Sequence, residues 1–155
     1  MENEGDFDEF YAGQFQTVFR AAFALSGSRS LAEDATQESF ARALERWGRL
    51  ADAPWKVGWV VTTALNLVRR EHRRILPARV YPPPSQVAAN PDFDTWELLR
   101  SLPVRQQQAI VLRGVLEFST HDAAAAMGCS EGAVKAHLHR ARQKLLRTIR
   151  ESEER

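Results

Sequence analysis

The chain has 155 residues, a formal net charge of +1 at neutral pH and 26% charged residues, enough for one ordinary domain or two small ones. A single cysteine, Cys129, excludes an internal disulfide and a cysteine-based zinc site. The longest mainly apolar stretch, Val57–Val68, is far short of the ~20 residues that cross a bilayer, and the acidic N-terminus lacks the apolar core of a secretion signal. A cytoplasmic chain without membrane insertion is expected.

Taken in chain order, nearly every segment has helical periodicity, and no strand pair or internal repeat stands out. Phe7, Phe10, Tyr11, Gln14, Phe15, Val18, Phe19, Ala22 and Phe23 recur at three- and four-residue steps, predicting an aromatic first helix that Gly27 ends. Ser30-Leu31-Ala32-Glu33 has the form of a capping box and opens a second helix running to about Arg46. A loop is expected over Gly48–Ala53, and Pro54 is placed to begin a third helix that ends near Arg74. Five prolines between Ile75 and Pro91 remove backbone donors and fix φ, so a semi-extended linker is expected there. Beyond it, Phe93–Leu102 and Pro103–Gly114 read as two helices. Two more follow, separated by Gly128-Cys129-Ser130, with Ser130 as N-cap of the last. The expected fold is all-α: two small helical domains, 1–74 and 92–155, joined by a Pro-rich linker over 75–91, the second domain a helix-turn-helix.

The mild net charge hides segregation. Met1–Phe10 carries five acids and no base, whereas Asn66–Arg79 carries five Arg against one Glu. Such separation suits a polyanion on some surfaces and a different partner on others. On the last helix, Val134, Leu138, Ala141, Leu145 and Ile149 fall within about 60° of one another. Ala136, His139, Arg140, Gln143 and Arg147 lie opposite, flanked by Lys135 and Arg142, and Glu131–Arg150 carries six Lys/Arg against one Glu. A helix-turn-helix presents such a cationic helix to a major groove.

On the third helix, Val57, Val61, Ala64, Leu65, Val68 and His72 share an expected core face. Trp59, Thr63, Asn66 and Arg70 lie opposite, with Trp55, Thr62 and Arg73 at one margin and Lys56 and Arg74 at the other. An aromatic ring, an amide and arginines on one face suit unstacked bases. Packing of Trp55 and Trp59 against the first or second helix is the competing expectation. The second helix carries an expected buried stripe of Thr36, Phe40, Ala43, Leu44 and Trp47. Its polar strip, Asp34, Gln37, Glu38, Ala41 and Glu45, would repel DNA but could dock a basic protein surface.

These residues resemble the extracytoplasmic-function (ECF) group of bacterial RNA polymerase sigma factors, over roughly Phe7–Arg74 and Phe93–Ile149. Ala32-Glu33-Asp34-Ala35-Thr36-Gln37-Glu38-Ser39-Phe40 is similar to the family's AED-x-x-QE-x-F segment; Trp59–Arg74, with Ala64-Leu65-Asn66-Leu67, to its promoter-melting helix; and Val134-Lys135-Ala136-His137-Leu138-His139-Arg140-Ala141-Arg142 to its VK-x-x-LHRAR pattern. The resemblance implies that Asp34, Gln37 and Glu38 bind the clamp helices of the largest polymerase subunit. It implies that Trp59, Thr63, Asn66, Arg70, Arg73 and Arg74 hold the minus-ten element as single strand, with the Gly48–Ala53 loop near a flipped base. Ser130, Lys135, Ala136, His139, Arg140 and Gln143 would read the minus-thirty-five duplex. The partners so implied are core RNA polymerase, through its clamp helices and beta flap, promoter DNA in both forms and, as in many members, an anti-sigma protein. Catalysis would belong to the polymerase, so no active site, cofactor or metal is expected.

Two departures stand out. Alanines occupy two expected core positions in Thr120-His121-Asp122-Ala123-Ala124-Ala125-Ala126, with Met127 and Phe118 to compensate, and Gly132-Ala133 replaces the family's Gly-Thr. The alternative reading is an ordinary helix-turn-helix regulator that binds duplex DNA without polymerase; it leaves the aromatic and arginine face of the first lobe unexplained. An enzyme is disfavoured: His137 and His139 point about 200° apart on a helix and cannot share one metal, and no phosphate loop or nucleophile elbow occurs.

Overall fold

A computed structural model describes residues 2–75 and 97–155. The chain divides into two compact units, Met1–Val80 and Tyr81–Arg155, and no strand occurs among the described residues. Apart from Ile75, the expected linker lies outside the described residues.

The first unit contains α1 (Glu2–Ser26), α2 (Arg29–Glu45), α3 (Trp47–Leu50) and α4 (Lys56–Ile75). Gly27 ends this helix at φ +63, a conformation that glycine adopts without a Cβ penalty, and its amide donates to the Phe23 carbonyl at 2.8 Å. The chain therefore re-enters helix two residues earlier than the capping box suggests. Ser28 is extended (φ −125, ψ 121), and its hydroxyl accepts the Leu31 amide at 3.3 Å. Ser30 is an exposed residue inside the first turn, not the cap.

The expected loop over Gly48–Ala53 is also partly helical. Trp47 and Leu50 are buried, and the Arg46 carbonyl accepts the amides of Arg49 and Leu50. Apolar burial, which the glycine and arginines around it obscure, winds this turn. Pro54 and Trp55 remain in a turn, and α4 opens at Lys56. The Lys56 ammonium donates to the Ala51 carbonyl at 2.9 Å and lies 5.4 Å from the Phe10 ring centroid and 5.6 Å from that of Trp47.

The first core is aromatic. Phe40 is 1% exposed and meets Phe7, Phe10, Tyr11 and Phe15 of α1 at centroid distances of 4.9 to 6.5 Å. Trp47 packs edge-on to Phe7 at 5.2 Å and tilted against Phe10 at 5.1 Å. From α4, Val60, Val61, Ala64, Leu65 and Val68 complete the core, while Val57 is only half-buried. Thr62, expected at the edge of the open face, is buried because its hydroxyl donates within the helix to the Trp59 carbonyl at 3.0 Å. The His72 and Arg73 side chains lie outside the described residues.

Leu44 departs from its expected place: it is 50% exposed. Seen down α2 from Phe40, the buried arc runs through Thr36, Ala43, Ala32, Ser39 and Ala35, and Leu44 lies about 40° beyond its other edge. Small residues on that arc let α2 approach its neighbours closely.

Among its described residues the second unit has a helical turn over residues 97–100, followed by α5 (Val104–Ile110), which continues as a π-helical segment over Val111–Val115. The helix-turn-helix pair is α6 (Thr120–Met127) and α7 (Glu131–Glu153). Ser119 caps α6 through the Asp122 amide at 3.0 Å, Gly128 ends it in the left-handed region at φ +66, and Ser130 caps α7 through the Ala133 amide at 3.1 Å. Leu99, Leu102 and Ala141 form one buried cluster with Ile110 and Leu145 against it. Ala123, Ala124, Ala126 and Met127 are buried and Phe118 is half-buried, so the alanines sit in the core as expected. Ile149 does not join the apolar stripe: it is 40% exposed, and Leu146 beside it is 55% exposed. The buried stripe of α7 ends at the half-buried Leu145, four residues short of Ile149.

Long polar side chains fasten this unit to its own backbone. Gln107 donates to the Leu99 carbonyl at 2.8 Å, Arg105 to the Met127 carbonyl at 2.6 Å, and Lys144 to the Ser101 carbonyl at 2.8 Å. These bonds satisfy carbonyls that helix ends leave without intrahelical partners.

The cap assignment is directly testable. Ser28→Ala should lower stability by about 1 kcal/mol, whereas Ser30→Ala should change it by less than about 0.5 kcal/mol. Urea denaturation of the two variants distinguishes them; equal losses would return the cap to Ser30.

Candidate functional site

Helix α2 presents three faces. Its small residues and Phe40 are buried. Asp34, Gln37, Glu38, Ala41 and Glu45 are all exposed, and exposed Leu44 lies at the edge of this strip, between it and buried Phe40. An exposed apolar side chain therefore borders the strip on one side. Sequence periodicity hides it, because a leucine four residues after a buried phenylalanine reads as core.

The third face of α2 turns towards α4. Arg42 and Arg46 form one wall of a cleft of about 180 Å³, and Trp59, Thr63, Asn66 and Arg70 line the other side. The four α4 positions read from sequence thus share one site. Asn66 and Arg70 are exposed, while Trp59 and Thr63 are half-buried. Trp59 neither stands free in solvent nor enters the core, for the Arg46 guanidinium carbon lies 5.5 Å from its ring centroid. Cation–π contact of this kind is favourable and holds the ring. The Thr63 hydroxyl donates to the Trp59 carbonyl at 2.8 Å, which fixes its rotamer and leaves its oxygen able to accept. Arg42 pairs with Glu38 through Nε–Oε1 at 3.1 Å. Arg74 is exposed and 3.9 Å from Glu71, away from the cleft lining. No residue of the Gly48–Ala53 segment lines the cleft; its neighbours on that side are the two arginines, which sequence reading left unassigned.

On α7, Ser130, Lys135, Ala136, His139, Arg140 and Gln143 are all exposed, whereas Val134, Leu138 and Ala141 are buried. Arg142 and Arg147 are exposed as well, so one side of this helix is continuously open and cationic. Lys144 is diverted by its bond to Ser101. The Ser130 hydroxyl is already engaged in capping, and a further role for this position would use the backbone of the first turn. His137 is half-buried and His139 exposed. Among the described residues, no group of three or more His, Cys, Asp or Glu could hold a metal, and no helix is long and apolar enough to cross a membrane.

The two helical units thus differ, one carrying an acidic strip and a cationic cleft and the other a cationic helix-turn-helix. Residues 14–75 match the family described as Sigma-70 region 2, and residues 93–145 match Sigma-70, region 4. The chain is 32% identical over 135 residues to the ECF RNA polymerase sigma factor EcfG of Rhodopseudomonas palustris (strain TIE-1), across 80% of this chain and 74% of that protein. It is 31% identical over 159 residues to the ECF RNA polymerase sigma factor BldN of Streptomyces coelicolor, covering 92% of this chain but 60% of BldN. Its fold is similar to that of the sigma factor RpoE from Bartonella quintana, solved in complex with the anti-sigma factor NepR, with a TM-score of 0.70 and 26% identity across 94% and 97% of the two chains. The chain belongs to the ECF RNA polymerase sigma factor family. It is a sigma factor rather than an ordinary helix-turn-helix regulator.

The two tryptophans should separate core from site. Trp47→Ala removes a buried ring and should cost roughly 3–5 kcal/mol of stability. Trp59→Ala removes a half-buried one and should cost about 1 kcal/mol. Thermal and urea denaturation check both values; a larger loss for Trp59 would make it a core residue.

Proposed function

We propose that the first domain, 1–74, docks on core polymerase and captures the melted minus-ten strand, while the second, 92–155, reads the minus-thirty-five duplex across a linker at 75–91. The observation that carries this reading is the division of α2: the acidic strip with Leu44 and the arginine wall lie on different faces of one rigid helix. A single element can then meet a basic protein on one face and an acidic nucleic acid on another, with the Glu38–Arg42 pair between them. Asp34, Gln37 and Glu38 supply the polar contacts to the clamp helices, and Leu44 the buried anchor beside them. The cleft residues Trp59, Thr63, Asn66 and Arg70, with Arg73 and Arg74 along the same helix, take unpaired bases and their phosphates. Lys135, Ala136, His139, Arg140 and Gln143 face the major groove, and the first turn at Ser130 faces a phosphate. The second domain also meets the beta flap. Bond formation belongs to the polymerase, and this chain uses no cofactor. The complex of RpoE with NepR supports an anti-sigma partner for this chain too.

Reconstitution with bacterial core polymerase tests the scheme. Asp34→Arg together with Glu38→Arg should abolish co-purification with core enzyme while circular dichroism is unchanged. Asn66→Ala should retain docking but reduce promoter opening about tenfold or more, read as permanganate reactivity of thymines. A template already mismatched over the start region should restore its transcription. Failure of that rescue would remove the cleft from strand capture.

Arg140 addresses the duplex. If it makes a bidentate contact to a guanine, Arg140→Ala should weaken promoter use by ~1–3 kcal/mol and relax preference at one base pair. A uniform loss with a salt slope lower by about one would make it a phosphate contact instead. Transcription across a set of singly altered promoters separates the two results.

A further inference from the structure

We infer that Arg46 is the stacking platform for one unpaired base, a role that rests on reading the α4 cleft as the strand-capturing face. Arg46 ends α2 and precedes α3, and its backbone is held on both sides. Its amide donates to the Ala43 and Leu44 carbonyls, and its carbonyl accepts the amides of Arg49 and Leu50. The side chain starts from this fixed point and reaches over the Trp59 ring, 5.5 Å from its centroid. A base entering the cleft meets the guanidinium before it can lie on the covered face of the indole. Guanidinium planes stack on bases as aromatic rings do, and this one is backed by an aromatic ring.

The rest of the cleft fits a single nucleotide. Its volume of about 180 Å³ lies below the roughly 300–1,000 Å³ of pockets that enclose drug-sized ligands. Among the described residues three arginines line it and no carboxylate does, which suits an occupant that carries negative charge. Glu38 stays outside the lining and holds Arg42 by the 3.1 Å pair. Arg42 on one wall and Arg70 on the other then flank the base platform with cations suited to the adjoining phosphates.

Binding by the reconstituted holoenzyme tests the assignment. The probe is a fluorescein-labelled single strand with the non-template sequence of a promoter mapped from the wild-type holoenzyme's transcripts, together with versions carrying one abasic site at each position. Arg46 is exposed, so the fold does not require its side chain, and core-polymerase co-purification controls for docking. One abasic position should raise Kd of the wild-type complex about tenfold. Arg46→Ala and Arg46→Lys should both bind the intact strand about tenfold more weakly and be indifferent to loss of the base at that position. Lysine keeps the charge but not the plane, so wild-type affinity of Arg46→Lys would overturn the platform. An abasic penalty of unchanged size in both variants would overturn it equally. If Asn66→Ala loses affinity while the Arg46 variants do not, strand capture stands and the role of Arg46 falls. If none of the three loses affinity, strand capture by this face falls with it.

Discussion

Burial of Phe40 between four aromatic rings of α1 is the constraint on which the first unit depends. An aromatic side chain of this size removes a large apolar area from water and prefers edge-on or offset-stacked neighbours; Phe7, Phe10 and Tyr11 meet it edge-on and Phe15 is stacked. It locks the rotation of α2, because turning the helix by one residue would expose Phe40 and bury a charged neighbour. Everything functional on that helix inherits its direction from this lock. The acidic strip looks outwards, and Arg42 and Arg46 look towards α4.

A consequence is that two surfaces of opposite sign share one short element without neutralising each other. Glu38 and Arg42 bridge them as a solvent-exposed i,i+4 pair worth about 0.3–0.5 kcal/mol. That is too small to tie the two surfaces together energetically, yet sufficient to bias the direction of Arg42. Trp59 illustrates a related compromise. It is neither core nor free surface; Arg46 covers it, so its aromatic surface is not left bare.

The second unit reaches order by other means. Helix α6 contributes only alanines and one methionine to the core, which bury less apolar area than large aliphatics. Arg105, Gln107 and Lys144 donate to backbone carbonyls elsewhere in the unit. Each such bond fixes a helix end and withdraws one side chain from recognition, so Lys144 is not equivalent to Lys135 or Arg140 despite lying on the same basic helix.

Much of this was legible in the sequence. Helical periods gave the helices of both units, Gly27 and Gly128 marked real left-handed stops, and Ser130 is the cap its position suggested. The polar strip of α2, the Trp59, Thr63, Asn66 and Arg70 grouping and the cationic side of α7 follow from 100° steps along single helices, which depend only on local geometry. What periodicity could not resolve were matters decided between helices. Leu44 is exposed because small residues, not the largest ones, mark where α2 lies closest to its neighbours. Ile149 is exposed because the buried stripe ends before it. Gly48–Arg49–Leu50 is helical because Trp47 and Leu50 find a core, and Ser28 displaces Ser30 as cap because Gly27 turns the chain first. Arg42 and Arg46 join the site only because α2 crosses near α4 at that point. A single helix dictates which side chains share a face; only packing against other helices decides which face is open and what stands opposite it.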